Sequence, residues 1–101
     1  MTAPEDLVTE RLKRFPEVER IILFGSRARA DAAPRADIDL AVACPAADAV
    51  RWSDIVEAAE SAPTLLQIDL VRVEDAPPEL LGQIAREGRV LYDRGNSQTQ
   101  A

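Results

Sequence analysis

The chain has 101 residues, 47% apolar and 30% charged, the proportions of one small globular domain with room for a single core. Its formal net charge of −6 and pI near 4.6 describe a surface that repels nucleic acid rather than gathering it. With no histidine and a single cysteine, Cys44, an intrachain disulfide, Cys/His zinc sites and every histidine-based general base are excluded, so proton transfer falls to carboxylates.

The opening residues Met-Thr-Ala-Pro-Glu-Asp have no basic segment leading into an apolar one, and no run approaches the length of a membrane span. The expected location is therefore the cytoplasm, with no membrane partner. Leu7, Val8, Leu12 and Phe15 recur among charges and predict an amphipathic helix from Glu5 to Arg14. Thr2 or Asp6 is available as its cap, Pro4 lies near its first turn and Pro16 ends it. Arg20 to Phe24 is β-branched and apolar without alternation, as in a strand covered on both faces. Ser26 to Ala30 is expected to form little more than one helical turn, and Asp31 to Arg35 a loop. A second strand is expected from Ala36 to Cys44.

An Ala-rich helix follows from Ala46 to Ser61, with Val50, Trp52, Ile55, Val56 and Ala59 at helical spacing. Leu65 to Val73 reads as a third strand. Pro77 to Gly88 reads as a helix, with Asp75 available as its cap, Leu80, Leu81 and Ile84 on one face and Gly88 at its end. Arg89 to Tyr92 is a short last strand. There is no repeat and no linker, so residues 1–93 are expected to form one α/β (α+β) domain, a small mixed sheet with helices packed on it. The polar residues 94–101 are expected to be a disordered tail. Trp52 and Tyr92 are expected in the core or at an interface, and Cys44 as a small buried residue.

The acids inside the strands need a reason. Residues two apart on a strand share a face, so Asp37 and Asp39 stand together while Ile38 and Leu40 enter the core. By the same alternation Asp69 lies opposite Ile68 and Leu70. Hard oxygen ligands of this kind suit Mg²⁺, which completes its shell with water and substrate phosphates. Upstream, Gly25 permits close backbone approach, and Ser26 at the start of a helical turn offers donors to an anion. Taken alone, Gly25-Ser26 is an ordinary strand-to-helix turn, and a serine nucleophile would have no histidine to activate it. Arg27, Arg29 and Arg35 suit phosphate contacts as well as a solvated surface.

The segment Leu23-Phe24-Gly25-Ser26-Arg27-Ala28-Arg29 followed by Asp37-Ile38-Asp39-Leu40 resembles the signature of the DNA polymerase beta-type nucleotidyltransferase superfamily, and in particular its minimal nucleotidyltransferases. The resemblance spans about Glu5 to Asp93. It differs at Ala30 and Ala36, where the family commonly has Gly and Ser. It implies that Gly25 and Ser26, with Arg27 and Arg29, hold a nucleoside triphosphate, that Asp37 and Asp39 bind two Mg²⁺ ions, and that Asp69 is a third metal-binding and catalytic carboxylate. It also implies the role of such proteins as antitoxins beside a helical HEPN toxin, some of them transferring AMP from ATP to a tyrosine of that toxin in a hetero-oligomer. The other readings left open are a non-catalytic antitoxin that neutralises by binding and, less favoured for so short a chain, a small-molecule nucleotidyltransferase.

Overall fold

The computed structural model describes residues 3–29 and 37–95. Helix α1 (Pro4–Leu12) begins with Pro4 in its first turn and Glu5 and Asp6 behind it, and Ala3 occupies the cap position without a side-chain hydrogen bond. Asp6 therefore complements the helix dipole rather than capping, and Thr2 lies outside the described residues. Strands β1 (Arg20–Phe24) and β2 (Ile38–Ala43) follow. Asp48 caps α2 (Ala49–Glu60), accepting from the Arg51 amide at 2.8 Å. Strand β3 (Ile68–Arg72) runs into a 3₁₀ turn (Val73–Asp75), so Asp75 closes that turn and does not cap α3 (Pro78–Glu87). Strand β4 (Arg89–Asp93) is last.

The sheet has the order β3-β2-β1-β4. Strand β1 is antiparallel to both β2 and β4, while β3 is parallel to β2. The mixed sheet carries helices on both faces. Ile21, Leu23, Ile38, Leu40 and Val42 point into one cluster with Val8 and Leu12 of α1 and Ile55 and Ala59 of α2. Phe24 and Ala41 point the other way, against Ile84 of α3, with Ile22, Val71 and Leu80 beside them. The lack of alternation in β1 has this cause: each face has its own helical cover. Trp52 and Tyr92 pack against the larger cluster, and Cys44 is fully buried in it.

Of the remaining expectations, one is met and two change. The expected turn after Gly25 forms, with Gly25 O accepting from Ala28 N and Arg29 N, while its continuation at Ala30 and the loop to Arg35 lie outside the described residues. Strand β2 begins at Ile38, so Asp37 stands one residue ahead of it. Arg94, assigned to the tail by its polar surroundings, is tied down: its amide donates to Glu19 O at 2.9 Å, and its guanidinium to Val18 O at 3.2 Å and Phe15 O at 3.1 Å. Residues 96–101 lie outside the described residues.

Gly88 joins α3 to β4 where a Cβ would collide with Ile84 O and lie 2.6 Å from Ile22 Cγ2. The end of α3 is therefore seated closely on β1. Leu40, fully buried at the centre of the sheet, tests the main core: Leu40→Ala is expected to cost about 2–5 kcal/mol, measured by urea denaturation with the slope unchanged.

Candidate active site

The site is assembled by strand register. Asp39 is the parallel partner of Asp69 and the antiparallel partner of Phe24. Since Ile38, Leu40, Ile68 and Leu70 belong to the α1/α2 cluster, alternation sends Asp39 and Asp69 to the α3 face, in line with Ala41 and Val71. Asp39 is partly buried, and Asp37 and Asp69 are exposed. Gln67 Nε2 donates to Asp69 Oδ1 at 3.3 Å.

Directly after β1 the backbone turns at Gly25 with φ +75°, a left-handed conformation that an L side chain adopts only with strain. A Cβ built there would lie 2.5 Å from Asp39 Oδ2, so glycine is required both by the turn and by the carboxylate beside it. Gly25 O accepts from Ala28 N at 3.1 Å and Arg29 N at 3.2 Å, closing one turn that begins at Ser26. Amides at the opening of such a turn have no acceptor within it. The glycine turn and the Asp39–Asp69 rung are thus in contact.

Burial raises the Asp39 pKa, and the charges of Asp69 and Asp37 raise it further, as does a hydrogen bond with the Asp69 carboxyl. The folded protein therefore binds this proton more tightly than the unfolded chain. The resulting destabilisation is absent below the unfolded pKa and develops as pH rises through the raised folded one.

The arginines of the turn have glutamate partners. Arg27 Nη2 lies 3.4 Å from Glu5 Oε1, and Glu5 Oε2 is 3.6 Å from Arg89 Nη2, so the buried Glu5 links α1, the turn and β4. Arg29 Nη1 is 3.0 Å from Glu87 Oε2, and Gln83 Nε2 donates to Glu87 Oε1 at 3.2 Å. The Glu87 carboxyl is held below its ordinary range by the Gln83 hydrogen bond, the Arg29 charge and hydrogen bond, and the Gly25 amide. None of Glu5, Gln83 and Glu87 has a signature in the sequence. They meet the turn only through packing of α1 and α3.

The donor set suits a hard divalent cation: adjacent carboxylates whose repulsion a cation would relieve. Among the described residues, however, no three Asp, Glu, Cys or His side chains stand together as a ready ligand set. Mg²⁺ needs only one or two carboxylates beside water and phosphate oxygens. A broad hollow lined by Pro16, Glu19, Ala43 and Arg94 lies at the opposite end of the strands and contains none of these acids.

A family model described as polymerase beta, nucleotidyltransferase, matches residues 7–97. The chain belongs to this nucleotidyltransferase family. Comparison with curated proteins finds no match. Among solved structures, this nucleotidyltransferase domain is similar to a toxin–antitoxin with AMP-PNP, at TM-score 0.73 and 26% identity over 88% of this chain and 73% of that one. It is also similar to a protein proposed to be a minimal nucleotidyltransferase, at TM-score 0.63 and 25% identity, over 85% of this chain and 86% of that one. The fold is shared with a complex of tri-AMPylated Shewanella oneidensis HEPN toxin and MNT antitoxin, at TM-score 0.64 and 22% identity over 97% of this chain and 79% of that one. The polymerase beta-type fold expected from the Gly-Ser and Asp-Ile-Asp segments is the one observed.

Gly25→Ala is expected to lower stability by about 1–3 kcal/mol, combining left-handed strain with displacement of Asp39, read as a lower Tm. Asp39→Asn is expected to raise Tm at neutral pH without divalent ions by about 1–3 °C, a few tenths of a kcal/mol after solvent screening. Calorimetry across pH should show the gain vanish below pH about 4, where the unfolded carboxyl is itself protonated.

Proposed function

We propose that this nucleotidyltransferase transfers AMP from ATP to a hydroxyl, that of a tyrosine on a HEPN-type toxin, and so acts in the cytoplasm as the antitoxin of the pair. The observation that carries the reading is the Asp39–Asp69 rung in contact with the Gly25 turn. It brings a paired-carboxylate surface and an anion-receptive backbone turn together on one face. The toxin–antitoxin structures it resembles, one with AMP-PNP and one with AMP on the toxin, support the choice of nucleotide and acceptor.

In this reading the Gly25-Ser26 turn receives the triphosphate, with Arg27 and Arg29 beside it as cationic partners for its oxygens. Asp37, Asp39 and Asp69 would hold Mg²⁺, two ions by the family resemblance. When bound, Mg²⁺ supplies charge neutralisation of the phosphates and acidification of the attacking hydroxyl. Asp69, exposed on edge strand β3, orients that hydroxyl and accepts its proton. The hydroxyl oxygen bonds to the α-phosphorus as the bond to the β-phosphate oxygen breaks, and pyrophosphate leaves. Partly buried Asp39 is kept in place by the glycine turn, because any larger residue at position 25 would displace it.

Incubating the chain with its HEPN-type partner and Mg-ATP is expected to add AMP to the partner by intact-mass spectrometry. Asp39→Asn should slow that gain by about 100-fold or more. An unmodified partner in a stable complex would instead favour neutralisation by binding alone.

A further inference from the structure

Glu87 occupies a position that its own helix does not favour. The last turn of a helix stabilises cations and opposes anions, yet this acid ends α3. Its favourable contacts come from elsewhere: Arg29 at 3.0 Å and Gln83 at 3.2 Å, with the Gly25 amide adding to the stabilisation of its charge. The first and last of these groups belong to the turn assigned to the triphosphate. The carboxylate thus engages an arginine of that turn in the manner of a phosphate oxygen.

We propose that Glu87 is a built-in competitor of the nucleotide, a carboxylate that engages Arg29 in the resting protein and must yield it when a triphosphate arrives. This rests on the reading of the turn as a triphosphate site. The two glutamates at the turn differ in kind. Glu5 is buried and shared between Arg27 and Arg89, so it serves as a fixed structural tie. Arg29 is 44% exposed and paired at the rim, where a guanidinium can exchange partners at small cost. The backbone under Glu87 does not need to move. Gly88 seats the end of α3 on Ile22, and rotation of the glutamate side chain alone breaks its pair with Arg29. The consequence is a nucleotide affinity set lower than the turn and its arginine would otherwise provide.

The test is isothermal titration of Mg-AMP-PNP into the wild-type chain and into Glu87→Gln, which keeps the side-chain shape and removes the charge. The variant is expected to bind roughly two- to fivefold more tightly, the range of an exposed ion pair, with the gain shrinking as salt is raised. Equal or weaker binding by the variant, with the wild type binding normally, would overturn the competitor role and identify Glu87 as a support for Arg29. If neither protein takes the nucleotide, the triphosphate reading of the turn fails and this proposal falls with it. Binding by Glu87→Gln alone would support both.

Discussion

The parallel pairing of β2 with β3 is the constraint on which the site depends. It places Asp39 beside Asp69, while the same alternation sends Ile38, Leu40, Ile68 and Leu70 into the cluster under α1 and α2. A slip of one residue in either strand would turn an acid into that core and an apolar side chain out of it. Burying each large aliphatic side chain stabilises the register by roughly 1.5–3 kcal/mol, and several act together. Their sum exceeds the repulsion of two partly solvated carboxylates. The polar site is therefore held in place by the apolar face behind it.

That division explains what could be read from the residues and what could not. The apolar run Ile21 to Phe24, the acids spaced by two and the glycine before Ser26 are local signals, because strand alternation and backbone strain act over a few residues. They led to the sheet, the fold family and the approach of the acids to the turn. Glu87 carries no such signal: 58 positions separate it from Arg29, and only the packing of α3 on β1 brings the two together. Glu5 was similarly hidden, since an acid in a helix's first turn ordinarily faces solvent and serves the dipole. The cap of α3 and the fixing of Arg94 also escaped local reading. For Glu5, Glu87 and Arg94 a contact distant in sequence overrode a plausible neighbour, whereas at α3 a local 3₁₀ turn took up Asp75.

The electrostatics of the resting site follow from these pairings. Arg27 and Arg29, the cations nearest the glycine turn in sequence, are each engaged by a glutamate, whereas Asp39 faces other acids that push its pKa upward. An acidic protein has thereby organised a site in which positive charge is internally compensated and negative charge is crowded. A triphosphate meets opposition from both features. The carboxylates repel it, and the arginines already have partners.

Under the proposed reading, such a site would discriminate by requiring coordinated changes. A divalent cation relieves the carboxylate repulsion, but by itself leaves the Arg29–Glu87 pair in place; a bare phosphate engages the arginine but gains nothing at the acids. A metal-bound polyphosphate addresses both, because it brings positive charge to Asp39 and Asp69 and offers an acceptor for Arg29. On that reading the cost of crowding two aspartates on one rung would become a source of selectivity, and the buried face formed by α1 and α2 supplies the stability that allows it.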